Sequence, residues 1–457
     1  MSPLADIPVE IANHILGFVP TSDLLNLCLT NRSLREFAEP FLYSTIRIEA
    51  EYGRTPRIIP LLRTLLQRPK LWDYIDDVYM DGLGPKGEFI RPLDLNSVDI
   101  PVEQCVDAIK KTKVPYTDWW IAKLNSSATS VEALYAMFLA GLSKSKRLAV
   151  TRGFINEREI IGKVIQSKAL GGSGLSRFEQ LREVTYYKYV DNVENKNNKI
   201  FPDVISLFYL PTLTSIKAWI PNPPVFEWPA GEPNLDHLTS LDIERLSEDN
   251  LAKILALTRN LKSLTWTWTC DETDDPGNTM ELNFENLIES LSLVRGTLEE
   301  LRIRLEIGPI ISPIFKPELN VTGSLAGLAG FRGLTYLEVP FVSLAGFGET
   351  PLPMEDGVPP TVKTLALSDD LLLNDVVRWQ QPYFEEYGTG FAPAEAIDNH
   401  IEALCDNIPT QLPLLRDLIF FADDMFAPIF ERVDFDATMA IYTDDDFNIR
   451  VSTRYNY

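Results

Sequence analysis

The chain is poor in cysteine. Its 457 residues include only Cys28, Cys105, Cys270 and Cys405. These are far apart and form no C-x-x-C pair, so neither a zinc site nor a disulfide framework is indicated. Buried thiols in a reducing compartment fit this usage best.

Long apolar runs and basic residues are also scarce. No stretch of about 18 apolar residues occurs, which excludes a spanning helix, and the N-terminus lacks the pattern of a secretory signal. The 42 Lys and Arg stand against 65 Asp and Glu, for a net charge of −23. This argues against nucleic acid and anionic membranes as partners. It favours basic partners, although solubility alone also explains it. We expect a cytoplasmic or nuclear protein.

Catalytic motifs are missing too. His14, His237 and His400 show no metal-ligand spacing, and no G-x-S-x-G elbow or phosphate-binding loop occurs. Among 65 acidic residues some pair could always be proposed as a glycosidase site, and nothing marks one pair over another. We expect no catalytic residue, metal or cofactor, and keep a carboxylate-dependent hydrolase only as an alternative.

The first 43 residues predict a small helical unit. Asp6 can cap a helix whose first turn tolerates Pro8. Apolar residues then recur at every fourth position from Ile7 to Val19, which predicts an amphipathic helix.

Two further short helices are predicted after it. One can start at Ser22-Asp23, and another at Asn31, with Pro40 as its end. A unit of this size is too small for a good core of its own. It also has more apolar positions than three short helices can bury among themselves, so we expect it to dock on another surface.

This stretch resembles the F-box in the version seen in many fungal proteins. The matching residues are Leu4, Ile7, Pro8, Glu10, Ile11, Ile15, Leu16, Asp23, Leu24, Leu27, Asn31, Arg32, Leu34, Arg35, Ala38, Pro40, Leu42 and Tyr43. The third helix lacks the tryptophan of the common animal pattern and has Leu34 and Phe37 in that region. The alternative is an ordinary amphipathic three-helix N-terminus.

The resemblance implies docking to the Skp-type adaptor of a cullin–RING ubiquitin ligase. The residues expected to face the adaptor are Leu4, Pro8, Ile11, Ile15, Leu16, Leu24 and Leu27. Several of these must pack internally instead.

Residues 46–180 alternate between strand and helix patterns. Strands are predicted at Thr45–Ala50 and Ile75–Met80, and a helix at Pro60–Leu66. Further helices are predicted over Ser130–Leu142 and Arg147–Lys168. We interpret this region as a linker with irregular first repeats.

From Leu181 onward the pattern L-x-x-L-x-L recurs eight times with loose substitutions. Its instances are Leu181/Val184/Tyr186, Leu213/Ile216/Ala218, Leu238/Leu241/Ile243, Leu261/Leu264/Trp266, Leu298/Leu301/Ile303, Leu334/Leu337/Val339, Val362/Leu365/Leu367 and Leu415/Leu418/Phe420. Helical patterns fill several intervals. The region resembles an irregular leucine-rich-repeat array, in which stacked strand-plus-helix units create one continuous core.

The repeats depart from the common pattern in two ways. Their starts are 23 to 53 residues apart, whereas about 20 to 29 is usual. The Asn or Cys that normally follows the last leucine by three positions is absent. We therefore predict an α/β fold with a less regular solenoid. The alternative is an α/β domain with coincidental L-x-x-L-x-L strands.

Residues between the buried leucines of such strands point to the opposite, concave face. Aromatics and arginines there suit a recognition surface. The candidate target-binding residues are Tyr187, Trp219, Asp242, Glu244, Arg302, Arg304, Tyr336, Glu338 and Phe421. Alternatively, Trp219 and Phe421 cover repeat edges. Trp266 and Trp268 share the buried parity of Leu264 and are predicted core residues.

Together these patterns predict a non-catalytic substrate receptor of an SCF-type ubiquitin ligase. Residues 1–45 would form the F-box-like helical domain, 46–180 the linker and first repeats, 181–430 the repeat array and 431–457 an acidic tail. The expected partners are the Skp-type adaptor, a cullin reached through it, and a target protein. The alternative function is a protein-binding module that acts outside ubiquitin ligation.

Overall fold

The computed structural model describes residues 7–49, 57–81, 102–125, 131–151, 159–171, 174–187, 202–220, 222–270, 280–307, 319–348, 350–371, 394–422 and 448–453. Leu4, the Asp6 cap and most of the 431–457 tail lie outside these residues. The chain divides into two units. Unit 1 comprises Met1–Asn192, Phe201–Ala218 and Trp228–Pro233, and unit 2 comprises Val193–Ile200, Trp219–Glu227 and Asn234–Tyr457.

The N-terminal part of unit 1 is helical. Its helices are α1 (Val9–Leu16), α2 (Thr21–Thr30) and α3 (Arg32–Ser44). Helix α3 begins where predicted, because the Asn31 side chain accepts a hydrogen bond of 2.9 Å from the Leu34 N–H. Its predicted end at Pro40 is wrong, since Pro40 lies inside the helix. Phe41 and Leu42, just beyond the proline, pack on the buried helical cluster, and this packing favours continuation of the helix.

Parallel strands and connecting helices form the rest of unit 1. The strands, paired in chain order, are β1 (Thr45–Glu49), β2 (Asp77–Asp81), β3 (Arg147–Val150), β4 (Glu183–Tyr186) and β5 (Ser215–Trp219), whose last residue already belongs to unit 2. The helices are α4 (Ile58–Gln67), α5 (Val102–Thr112), α6 (Thr117–Leu124), α7 (Val131–Gly141), α8 (Glu159–Leu170) and α9 (Pro202–Ser206), with 3₁₀ turns at Pro69–Tyr74 and Leu207–Tyr209.

The helix predicted over Arg147–Lys168 is wrong at its start. Residues Arg147–Val150 form β3, which pairs with β2 and β4, and α8 begins only at Glu159. Leu148 and Val150 are buried while Arg147 is exposed, so the segment follows the two-residue alternation of a strand.

Unit 2 has a parallel sheet with its strands in chain order. The strands are β6 (Ser240–Glu244), β7 (Ser263–Cys270), β9 (Glu300–Ile307), β11 (Tyr336–Pro340), β12 (Thr364–Ser368), β13 (Asp417–Ala422) and β14 (Asn448–Thr453). Two short strands, β8 (Glu281–Asn283) and β10 (Asn320–Thr322), pair separately. The helices are α10 (Glu248–Leu255), α11 (Phe284–Ser292), α12 (Phe341–Ala345) and α13 (Ala394–Gln411), with 3₁₀ turns at Ala326–Gly330 and Met354–Gly357.

The central leucines of the L-x-x-L-x-L segments lie in register. In unit 2 the paired and buried residues are Leu241, Leu264, Leu301, Leu337, Leu365 and Leu418. In unit 1 the equivalent row is Ile46, Val78, Leu148, Val184 and Ile216. Each row buries one apolar side chain per strand against the next strand. The predicted strands, and the core positions of Trp266 and Trp268, are thus confirmed.

A lysine is fully buried in unit 1. The Lys168 ammonium on α8 donates hydrogen bonds to the carbonyl oxygens of Ala140 (3.2 Å) and Ser176 (2.7 Å). It also lies 4.6 Å from the ring centroid of Phe178. Burial lowers the pKa of Lys168 to about 7, and the charge of Glu179 offsets only part of this effect. The unfolded chain therefore binds this proton more tightly than the folded protein.

Through Lys168, we expect stability to rise with pH above about 7. Between the lowered folded pKa and the unfolded pKa of about 10.4, the unfolded state binds more protons, so raising the pH favours folding. The free energy of unfolding of the wild type relative to Lys168→Met should increase by about 2 kcal/mol between pH 7 and pH 9. Chemical denaturation at each pH measures this difference. Lys163→Met, at an exposed position of the same helix, controls for the loss of one charge. A difference that is constant with pH would contradict the lowered pKa.

Candidate functional site

Exposed large apolar side chains concentrate on the N-terminal helices. Within residues 9–29 they are Val9, Ile11, Ile15, Phe18, Leu25 and Leu29, which we call the apolar helical surface. Phe18 is 78% exposed and Leu29 is 69% exposed. The other exposed large apolar residues in the described part of the chain lie singly along the sequence between Val225 and Leu414. Such a concentration is typical of an interaction surface.

The inner side of the same helices forms a small core. Leu16, Leu24, Cys28 and Ala38 are buried there, and Leu27 packs against them. The prediction that Leu16 and Leu24 face a partner is therefore wrong, because their side chains close the contact between the three helices. Pro8, Ile11 and Ile15 are exposed as predicted.

The helices are attached firmly to the start of the sheet in unit 1. The Arg68 guanidinium donates two hydrogen bonds, of 2.7 and 2.5 Å, to the carboxylate of Glu39 on α3. The Asp76 N–H donates to the Ser44 carbonyl at 2.9 Å, and α3 leads directly into β1. The apolar helical surface is thus carried on ordered structure.

The three helices and β1 coincide with a known domain family. Residues 4–49 match the F-box-like family. This confirms the resemblance for the N-terminal stretch, and an F-box-like domain implies binding of a Skp-type adaptor. F-box proteins are generally non-catalytic adaptor subunits. No match to a curated protein was found.

The assignment of inner and outer residues in the F-box-like domain is testable by substitution. Leu16→Ala removes a buried side chain and is expected to cost the domain about 2 to 5 kcal/mol of stability. Leu29→Ala at an exposed site should change it by less than about 0.5 kcal/mol. Hydrogen exchange of the α1–α3 amides measures this local stability. Equal losses for the two variants would contradict the assignment.

Four predicted target-binding residues meet in one ionic cluster on β9 and β11. The Glu338 carboxylate accepts hydrogen bonds from Arg304 Nε (2.8 Å) and from the Tyr336 hydroxyl (3.1 Å). Arg302 Nε lies 3.6 Å from the same carboxylate, and Arg302 also donates to Glu300 at 2.9 Å. The Arg302 guanidinium carbon is 4.2 Å from the Tyr336 ring centroid.

The predicted exposure of Glu338 is wrong. Its side chain is 2% exposed, because Arg302, Arg304 and Tyr336 cover it. Burial lowers the pKa of Arg304, but its hydrogen bond to Glu338 outweighs this and the pKa is raised. The pKa of Arg302 is raised as well, so both arginines stay charged, and they are already bound within the protein.

The remaining candidates have different surroundings. Asp242 and Glu244 are half-buried on β6. They lie in register with Thr265 and Thr267 of β7. Those two threonines lie in register with Arg302 and Arg304 of β9. These residues therefore share one face of unit 2. Phe421 is half-buried on β13, and Tyr187 is half-buried at the end of β4 in unit 1.

The predicted exposure of Trp219 is also wrong. Its side chain is 6% exposed. The Arg245 guanidinium carbon lies 5.2 Å from the centroid of its ring and covers it.

The buried carboxylates of unit 1 serve the fold. Glu132 accepts a hydrogen bond of 2.8 Å from the Ile160 N–H, and Asp203 accepts one of 2.7 Å from the Tyr186 hydroxyl. Within the described ranges no group of His, Cys, Asp and Glu is arranged to hold a metal. No helix in those ranges is long and apolar enough to cross a membrane. All four cysteines are buried, as predicted.

The outer residues of the F-box-like domain were only partly identified from the sequence. Val9, Phe18, Leu25 and Leu29 were missed as surface residues. A signal for two of them exists: apolar residues come in adjacent pairs, Leu24 with Leu25 and Cys28 with Leu29. Adjacent residues on a helix point about 100° apart, so such pairs give α2 two apolar sides.

Proposed function

We propose that the protein is the substrate-recognition subunit of an SCF-type cullin–RING ubiquitin ligase. The F-box-like domain docks the Skp-type adaptor, and the strand-and-helix region binds a target protein. Ubiquitin transfer then belongs to other subunits. The contribution of this chain is proximity, because it raises the concentration of target lysines near the charged conjugating enzyme. Its place of action is the cytoplasm, the nucleus or both.

The observation that carries the proposal is the apolar helical surface on the F-box-like domain. Burying one large apolar side chain yields about 1.5 to 3 kcal/mol. Burial of several such side chains would offset the costs of association. The hot spot would centre on Ile11, Ile15 and Phe18, the outer residues of α1 and the turn after it.

The in-register leucine rows support the second half of the proposal, an irregular leucine-rich-repeat-like solenoid that follows a fungal-type F-box. One strand and its following segment cannot bury their own apolar edge, and each buries it against the next. The opposite strand face is then available to a target. In unit 2 its partly exposed residues include Asp242, Glu244 and Phe421, and in unit 1 they include Tyr187.

Co-purification from cells expressing the tagged full-length chain tests the proposal. We expect both the adaptor and a cullin to be recovered. Recovery of the adaptor without a cullin would favour the alternative function, a binding module outside ubiquitin ligation. Absence of the adaptor from a folded protein, as judged by circular dichroism, would refute both functions.

A further inference from the structure

A histidine lies in the middle of the apolar helical surface. His14 comes three residues after Ile11 and four residues before Phe18, which places the three side chains on one side of α1 and the turn after it. All three are exposed, as is the adjacent Ile15. The proposed adaptor contact is centred on the three apolar members of this group, so a partner that covers them also covers His14.

The His14 imidazole supports the most exposed of the large apolar side chains. The ring centroids of His14 and Phe18 are 5.1 Å apart and the ring planes are inclined at 81°, which is an edge-to-face contact. The Phe18 N–H also donates a hydrogen bond of 3.1 Å to the Ile15 carbonyl. Phe18, which is 78% exposed, is therefore held by a backbone hydrogen bond and by the ring of His14.

No charged group of the three helices pairs with His14. Among the described residues, the imidazole contacts the Phe18 ring and has no ion pair or hydrogen bond. The charged residues of α1, and of α2 and α3 beside it, are Glu10, Asp23, Arg32, Arg35, Glu36 and Glu39. Arg32 pairs with Glu36, and Glu39 pairs with Arg68. In the free protein, a charged imidazole at this position is therefore stabilised chiefly by water.

An adaptor that covers this side of α1 would remove that water. Dehydration disfavours an imidazolium much more than a neutral imidazole. The face of the Phe18 ring and the carbonyl end of α1 both favour a cation. One ring and one helix end return less free energy than a buried ion loses with its hydration. The complex therefore favours the neutral form of His14.

We propose that the adaptor contacts His14 as a neutral imidazole, so that docking is coupled to release of the His14 proton. The inference rests on the proposed function, because the adaptor is the partner that covers α1. It adds His14 to the adaptor-contact residues. It also requires that the adaptor surface opposite His14 has no carboxylate to pair with an imidazolium.

This coupling gives adaptor binding a defined dependence on pH. The complex holds fewer protons than the separate proteins, so binding weakens as the pH falls. A histidine is ordinarily about one-tenth charged at pH 7.5 and about nine-tenths charged at pH 5.5. Exclusion of the charged form from the complex therefore weakens binding about tenfold over this range.

Calorimetric titration of the purified adaptor into the full-length chain at pH 5.5, 6.5 and 7.5 tests the proposal. The comparison is with His14→Gln, so that titrating groups of the adaptor cancel. The ratio of the dissociation constant of the wild type to that of His14→Gln should rise about tenfold from pH 7.5 to pH 5.5. At pH 6.5 the wild type should release about half a proton more than His14→Gln on binding. Binding enthalpies in two buffers of different ionisation enthalpy measure this number.

His237→Gln is the matched control, because it makes the same change at a histidine just before β6 in unit 2. Its dissociation constant should follow that of the wild type within about twofold at each pH. Equal pH dependence in the wild type and His14→Gln would overturn the proposal. So would tighter binding at pH 5.5 that requires His14, because an adaptor carboxylate would then pair with the imidazolium.

The same titrations separate this inference from the proposed function. A folded wild-type chain that fails to bind the adaptor even at pH 7.5 would refute the proposed function and the role of His14 together. A wild-type chain that binds the adaptor at every pH, without an effect that depends on His14, would refute the role of His14 alone.

Discussion

Replacing Ile11 by aspartate is expected to reduce the affinity of the full-length chain for the Skp-type adaptor at least about a hundredfold, or about 3 kcal/mol. Ile11 is 53% exposed on α1, so the free protein should tolerate the change. In the complex, the carboxylate would lie in the apolar contact without a partner, and burying an unpaired charge is costly. Calorimetric titration of adaptor into each variant measures the loss.

Leu293→Asp is the matched control for this effect. Leu293 is an equally exposed leucine at 52%, just after α11 in unit 2, and its change adds the same charge. It should leave adaptor affinity unchanged within about twofold. Ile11→Leu should retain most of the affinity, because its volume and polarity are similar. If Ile11→Asp binds normally, the adaptor does not contact α1 and the assignment of the surface is wrong.

An adaptor-binding variant that keeps its fold is also a tool for finding the target. Cells expressing Ile11→Asp in place of the wild type should accumulate undegraded targets on the chain. Equal recovery of the same proteins on the wild type would contradict their degradation through the adaptor.

The sequence predicted the strands well because their signal is repeated. One segment such as Leu238–Ile243 is ambiguous, but the same spacing in eight places points to strands that stack in register. The helix predicted over Arg147–Lys168 failed for the opposite reason. Leu148 and Val150 are only two apolar residues, and the neighbours that make Arg147–Val150 a strand come from β2 and β4, which are distant in sequence.

The candidate site was predictable in identity but not in orientation. The residues from Leu4 to Tyr43 carry the F-box resemblance, yet periodicity could not tell Leu24 from Leu25, because both suit an apolar face. Only the packing of α1 against α2 and α3 separates them. The contact of Arg302 with Glu338 could not be predicted either, since the two residues meet only through the register of β9 with β11.

Glu338→Ala is expected to destabilise unit 2 by about 3 to 5 kcal/mol. The carboxylate is 2% exposed and receives hydrogen bonds from Arg304 and Tyr336, with Arg302 at 3.6 Å. Removing the Glu338 carboxylate leaves two guanidinium groups partly buried and without their shared acceptor. The free-energy cost of leaving such donors unsatisfied exceeds the net contribution of the hydrogen bonds that are lost. Hydrogen exchange of the β9 and β11 amides measures this loss within unit 2, where a single melting temperature would mix both units.

The size of the Glu338 effect also decides how the unit 2 face can act. Glu300→Ala is the control. Glu300 is about half exposed, pairs with the same Arg302 and accepts a long hydrogen bond of 3.3 Å from the Ser263 hydroxyl, so its loss should cost less than about 1 kcal/mol. A large effect at Glu338 alone means that Arg302 and Arg304 are structural and leave target contact to their neighbours. Small, equal losses of stability in Glu338→Ala and Glu300→Ala would mean that the two arginines are readily hydrated without Glu338. They could then bind an acidic group of a partner in its place. In that case the unit 2 face could bind an acidic segment of a partner through Arg302 and Arg304.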